Sequence, residues 1–263
     1  MKHQAALFFA ALQFYTRIPI PGWVVFKPDH LSPATRFLPF IGWIVGAISA
    51  AVWLVVFPLT SIPIAIIFSV IASILTTGAL HEDGFADTCD GFGGGWTREK
   101  ILIIMKDSRL GTYGAVGLVC ILALKFALLQ LLINLFGSQI SHVFGLWIAA
   151  HAISRLMPAF IIYSQPYARD TDDSKSKPVA QNVTAATLAI AAVFGIMPLL
   201  FLCVMVSSAL PLLSILFLGI ITWAMSRYFV KWIGGYTGDC LGAVQQVCEV
   251  AFYICLAASW KFI

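Results

Sequence analysis

Long apolar runs separated by short polar breaks make up most of this chain. Seven stretches stay apolar for about the twenty residues that a helix needs to cross a bilayer: 38–58, 62–80, 114–136, 143–163, 184–206, 210–230 and 243–260. The runs are continuous, whereas strands of a membrane barrel alternate apolar and polar positions, so the spans are expected to be helices. An eighth apolar stretch, 5–16, is short and is stopped by the sequence RIPIPG at Arg17–Gly22. It is expected as an interfacial or re-entrant helix, or as a tilted span. The expected fold class is all-α: a polytopic transmembrane helical bundle of about seven spans plus this short N-terminal helix. No internal repeat is evident, and residues 1–263 are expected to form a single integral membrane domain.

The polar positions are not shared evenly between the two ends of these spans. With residue 37 on one side, threading the chain puts 17–37, 81–113, 164–183 and 231–242 on that side. The other side receives only the short links near 59–61, 137–142 and 207–209 and the C-terminus. All but three of the sixteen Lys and Arg residues (Lys2, Lys125 and Lys261) fall on or near the first side. The positive-inside rule makes that side cytoplasmic. Glu82, Asp83, Asp87, Asp90, Glu99, Asp107, Asp170, Asp172, Asp173 and Asp239 belong to the same cytoplasmic segments. This one-sidedness points to a working face rather than to a transport path through the bilayer.

Composition agrees with the pattern. Apolar residues make up 60% of the chain and charged residues 11%, against about 25% charged in a soluble domain; mean hydropathy is +0.92. The net charge of +4 is modest and implies no nucleic-acid partner. The six cysteines (89, 120, 203, 240, 248 and 255) show no CxxC spacing, so neither a zinc site nor a disulfide framework is expected. The N-terminus has no basic start and no small-residue cleavage site, so no signal peptide is expected.

Candidate chemistry collects in a few polar stretches. In HEDGFADTCDGF (His81–Phe92), Asp83, Asp87 and Asp90 are spaced i, i+4, i+7 and share one face of a helix. Three carboxylates side by side repel one another unless a cation sits among them, and hard oxygen ligands suit Mg²⁺, which keeps waters and bridges to phosphates. Glu82 points sideways from that face. His81 is either a ligand or a hydrogen-bonding neighbour of the phosphate. The alternative reading is a solvated acidic turn; against it stand Gly84 and Gly91 and the following Gly94 and Gly95, which let a substrate approach the backbone closely.

The next stretch, REKILIIMKDSRLGTYG (98–114), reads as a short amphipathic helix on the membrane surface. Lys106 and Arg109 are placed to neutralise phosphate, or simply snorkel; Asp107 binds a second metal or pairs with one of them. In GGYTGDCLGA (234–243), Gly235, Thr237, Gly238 and Asp239 offer backbone N–H groups, a hydroxyl and a carboxylate at a helix start. Glu249 lies inside the last span, where an acid is either functional or paired with a buried base such as Lys125 or Arg155. Arg155 faces the bundle interior, for anion contact or for structural pairing; His151 lies one turn earlier, and Lys125 has no assigned role. Arg169, Lys175 and Lys177 are candidate phosphate or nucleotide contacts. Clustered carboxylates, basic side chains and glycine loops suit phosphoryl transfer, and no Ser-His-Asp arrangement or Walker loop is present. The residues therefore describe a metal-dependent phosphotransferase at a cytoplasmic membrane face.

The chain resembles the cobalamin synthase family, adenosylcobinamide-GDP ribazoletransferases. The matching stretches are FYTRIPIPG (14–22), FLPFIGWIVG (37–46), HEDGFADTCDGFGGG (81–95), KDSRLGTYGA (106–115), SRLMP (154–158) with YAR (167–169), and GGYTGDCLGA (234–243) followed by Glu249. They cover nearly the whole chain in family order; Glu82 departs from the family, which often has an apolar residue there. The resemblance implies joining of adenosylcobinamide-GDP to α-ribazole or α-ribazole 5′-phosphate, with release of GMP and Mg²⁺ as cofactor, in a bacterial inner membrane. It places Asp83, Asp87 and Asp90 on the metal, Lys106 and Arg109 on phosphate charge, and Asp107 or Asp239 as proton acceptor or metal holder. Substrate contacts are expected from His81, Gly91, Gly94, Gly95, Arg155, Arg169, Gly235, Thr237, Gly238 and Glu249. Membrane lipid is an expected partner; self-association or contact with other cobalamin-assembly enzymes is left open. A CDP-alcohol phosphotransferase fits less well, because Gly94 and Gly95 stand where that pattern has Ala-Arg and its two downstream aspartates are missing. A cation or corrinoid transporter would spread its acids along the spans and on both faces.

Overall fold

The apolar runs form helices throughout a computed structural model that describes residues 2–22, 24, 28–137, 139–169 and 180–260. In chain order these are α1 (Lys2–Tyr15), α2 (Leu31–Ala34), α3 (Leu38–Val56), α4 (Ile62–Thr77), α5 (Leu80–Gly94), α6 (Arg98–Ile104), α7 (Thr112–Leu135), α8 (Ile140–Ser164), α9 (Ala185–Met205), α10 (Leu213–Ile233) and α11 (Gly238–Ser259). Among the described residues, six helical stretches are long and apolar enough to cross a membrane, and α4 with α5 makes a seventh if the bent pair counts as one span. The expected polytopic bundle is what the chain forms. Lys27, Asp170, Asp172, Asp173, Lys175 and Lys177 lie outside the described residues.

The N-terminal stretch forms a helix shorter than a full span. At fourteen residues, α1 is about 21 Å long, short of the roughly 30 Å hydrocarbon core. Its Leu7, Ala10, Ala11 and Leu12 pack against Ala34, Ile41 and Val45. Past its end, Arg17 N donates to Thr76 O at 2.7 Å and ties the chain to the last turn of α4.

Helix α8 is the central post, with nearly all of its span inside the protein. It meets α3 at backbone distance because α3 carries Gly42 and Gly46 on that side. A Cβ at Gly42 would collide with the backbone of His151 and Ala152, and one at Gly46 with that of Trp147 and Ile148. Small residues four apart allow this approach between membrane helices, where packing rather than the hydrophobic effect drives association. The contact fixes the height of α8 and hence of Arg155.

One expectation is corrected in detail. The stretch 62–80 does not run as one full span: α4 ends at Thr77, Gly78 (φ +64) and Ala79 (φ 58) take left-handed conformations, and α5 leaves at 88°. Gly78 closes α4 with the left-handed cap that glycine makes without strain. Residues Leu80–Gly94 form α5, a helix packed inside the bundle against α7 and α11. Gly84 and Gly242 make that possible: a Cβ on Gly84 would lie 3.0 Å from the Asp239 backbone, and one on Gly242 3.1 Å from His81 O.

Gly42→Ala should lower stability by about 1–3 kcal/mol, the usual range for overpacking, whereas Gly219→Ala, which would meet nothing within 4 Å, should not. Thermal unfolding of the two purified variants in detergent checks the difference.

Candidate active site

A cavity of about 400 Å³ opens between the end of α1, the start of α3, α5, the α6–α7 link, α8, the 167–169 segment and the start of α11. Asp83, Asp239, Lys106, Arg155, Arg169 and His81 line it, with Phe14, Tyr15, Leu38, Leu80, Met105, Pro158, Tyr167 and Leu241 forming its apolar walls. Convergent polar groups in an otherwise apolar pocket mark a ligand site.

Two loops distant in sequence meet at its rim. Ala168 N donates to Tyr236 O at 2.9 Å and Tyr236 N to Pro166 O at 3.1 Å. Gly235 allows this, since a Cβ there would overlap Pro166 O. Arg98 adds a donation to Ala168 O at 3.0 Å. The strip delivers Arg169 to Asp239, and its guanidinium reaches Oδ2 at 2.7 Å. Thr237 is spent as the N-cap of α11, its Oγ1 accepting from Cys240 N at 3.3 Å. Asp239 thus sits in the first turn of α11, where the partial positive charge of the helix start favours a carboxylate. Gly238 lines the cavity beside it.

The three aspartates of α5 do not share one task. Asp83 is exposed to the cavity. Asp87, one turn on, lies within electrostatic reach of Asp239, Asp83 and Arg169. Asp90 is turned elsewhere: Gly111 N donates to its Oδ2 and Gly114 N to its Oδ1, both at 2.8 Å. It therefore caps α7, and the glycines are needed because its oxygens occupy the space of their Cβ atoms. The three aspartates expected to share a metal are thus placed apart: Asp83 faces the cavity with Asp239, Asp87 lies within electrostatic reach of both, and the Asp90 oxygens are held by backbone N–H groups of α7. Among the described residues no three His, Cys, Asp or Glu side chains enclose a metal position. That arrangement suits Mg²⁺, which is usually held by one or two carboxylates while waters and substrate phosphates complete its shell.

Downstream, Lys106 lines the cavity but Asp107 and Arg109 do not. Those two grip each other at 2.6 Å on the exposed surface, and Arg109 also donates its backbone N–H to Asp107. These hydrogen bonds hold the Asp107 carboxyl down at about 2. Three of the glycines expected near substrate pack against the segment that follows α5. A Cβ on Gly91 would crowd Met105 and one on Gly95 would crowd Ile101, so these two admit α6, whereas one on Gly94 would make only ordinary contact with Ile104.

Glu249 is also placed away from the cavity. Lys125 Nζ approaches its Oε1 at 3.2 Å, Gln245 donates to Oε2 at 2.8 Å and Tyr253 OH to Oε1 at 3.3 Å. The structural alternative, a salt bridge to Lys125, is the one the fold adopts. Gln246 joins this group, accepting from Lys125 and donating to Glu82 Oε1, both at 3.0 Å. Sequence reasoning passed over Gln245 and Gln246; two adjacent amides inside an apolar run were the available signal. It also passed over Phe14, Tyr15 and Tyr167, which look like ordinary apolar residues until the fold brings them to one wall.

Comparison with known proteins finds relatives along nearly the whole chain. The family model for cobalamin-5-phosphate synthase matches residues 7–257. An adenosylcobinamide-GDP ribazoletransferase of Shewanella pealeana is 46% identical over 262 residues, covering 98% of each chain. Proteins of the same description from Leptothrix cholodnii and Leptospira interrogans are 43% and 41% identical, covering 98% and 97% of this chain and 97% and 96% of their own. No solved structure matches the chain.

Asp90→Ala should cost about 1–2 kcal/mol, the value of a lost helix cap, while Asp83→Ala should leave the unfolding midpoint in place. Parallel thermal melts test this; equal losses would mean that Asp90 has no capping role.

Proposed function

The chain belongs to the cobalamin-5-phosphate synthase family, and from that premise we propose that it joins adenosylcobinamide-GDP to α-ribazole or its 5′-phosphate in the cavity described above. A ribose hydroxyl oxygen attacks the phosphorus attached to cobinamide. The bond to the bridging diphosphate oxygen breaks, GMP leaves with that oxygen, and the hydroxyl proton passes to a carboxylate. The observation that carries the reading is the meeting of Asp83, Asp239, Lys106 and Arg169 around one cavity, in a chain alike over its full length to ribazoletransferases.

The residues divide the work by what they touch. Lys106 faces the cavity as a compact cation for phosphate oxygens. Arg169, braced on Asp239, adds a planar donor set. Of the two acids considered for the proton, Asp239 lines the cavity and Asp107 does not. Asp83 and Asp87 are the residues that would hold Mg²⁺, which when bound neutralises diphosphate oxygens and stabilises the departing GMP. The excess of Lys and Arg on the loops of this face favours a cytoplasmic orientation, and the bacterial relatives favour the inner membrane of a bacterium. A mouth at the membrane surface suits a bulky, amphipathic corrinoid.

The direct test incubates purified protein with adenosylcobinamide-GDP, α-ribazole and Mg²⁺ and follows GMP and the cobalamin product. Both should appear in equal amounts and both should vanish with a chelator; GMP without a joined product would refute the reading. Asp87→Asn should lower turnover by at least about a hundredfold, the scale for losing transition-state charge stabilisation, with membrane insertion intact. Wild-type GMP release by this variant would remove Asp87 from the site.

A further inference from the structure

Arg155 is left without the partner that a buried charge requires. It is 2% exposed, it sits in the middle of the central helix α8, and it lines the cavity. One terminal nitrogen is held on its own helix, donating to His151 O at 3.1 Å and lying 2.9 Å from His151 Nδ1. Its Nε is buried with no hydrogen-bond partner among the described residues. The acids nearest in electrostatic terms are Glu249 and Glu82. Glu249 is taken by Lys125, Gln245 and Tyr253, and no carboxylate among the described residues lies in ion-pair contact with Arg155. An unpaired guanidinium inside a bundle is costly. An anion entering the cavity removes that cost, and the planar fork of arginine matches the oxygens of a phosphate ester.

The cavity lining carries three cations, Lys106, Arg155 and Arg169, against Asp83 and Asp239. Arg169 is committed to Asp239. Lys106, with the metal-binding pair, accounts for the diphosphate. Arg155 lines the cavity with a buried Nε that no described residue accepts from, which leaves a donor for a second anionic group there. Resting on the function proposed above, we propose that Arg155 is the positioning and specificity residue that binds the 5′-phosphate of the incoming nucleotide. The phosphate ester and the attacking hydroxyl belong to one ribose. Anchoring the first therefore orients the second, which is how binding away from the reacting bond raises rate.

The test compares kcat/KM for α-ribazole 5′-phosphate and for α-ribazole, with adenosylcobinamide-GDP saturating. Wild type should prefer the phosphorylated acceptor, and Arg155→Gln should cut that preference by about tenfold or more, the weight of a hydrogen bond to a charged group. Arg155→Lys keeps the charge inside the bundle but loses the fork, and it serves where the Gln variant fails to accumulate; its preference should fall at least about threefold. A role confined to balancing Glu82 would slow both acceptors alike. A preference within twofold of wild type in a folded variant, or a wild type indifferent to the phosphate, overturns the proposal. Failure of wild type to join either acceptor overturns it together with the assigned activity.

Discussion

A charge carried into a bilayer must find a partner there, and the arrangement of this bundle follows from that requirement. Moving an ion out of water costs several kcal/mol that only a well-placed counter-charge and hydrogen bonds offset. Lys125 on α7 and Glu249 on α11 meet this demand together, and Gln245, Gln246 and Tyr253 complete the donors and acceptors around them. Through Gln246 the group reaches Glu82 on α5, and through Gln245 it reaches Ser154 on α8. One polar network thus joins α5, α7, α8 and α11, and α5, α8 and α11 among them wall the cavity. Because its contacts link different helices at one level, the network fixes the register that the apolar faces alone leave loose.

Glycine supplies the second half of the geometry. The network dictates which helices must be neighbours; Gly42 and Gly46 against α8, and Gly84 and Gly242 between α5 and α11, dictate how near they come. Bringing α5 to the backbone of α11 places Asp83 and Asp87 opposite Asp239. Seating α8 against α3 leaves Arg155 at the cavity wall. Chemistry at the membrane face then needs only short loops, and the pairing of residues 166–168 with Tyr236 carries Arg169 to its position.

Much of this was legible in the residues, for identifiable reasons. Apolar runs report spans directly, because the bilayer sets their length, and the helical spacing of Asp83 and Asp87 reports a shared face. What a helix face looks at is not local information. Asp90 has the same spacing, but its partners are backbone N–H groups more than twenty residues downstream, so spacing alone could not separate a cap from a ligand. The 88° turn before α5 escaped for a related reason: Gly78 signals a stop, but nothing in Ala79 announces a second left-handed residue. Asp107 and Arg109 were read as site residues from their charges. Two residues apart in a tight turn, they satisfy each other instead, and only Lys106 beside them reaches the cavity.

The account's central claim is that substrate diphosphate is handled inside the cavity bounded by Asp83, Lys106 and Asp239. The most direct measurement is a cryo-electron microscopy map of the protein in lipid nanodiscs with Mg²⁺ and adenosylcobinamide-GDP, without the nucleoside acceptor. The account predicts ordered diphosphate density within that cavity, in contact with Lys106 and facing the α5 carboxylates. Diphosphate bound instead on the outer surface at Asp107 and Arg109, with the cavity filled by apolar side chains or lipid, would contradict it.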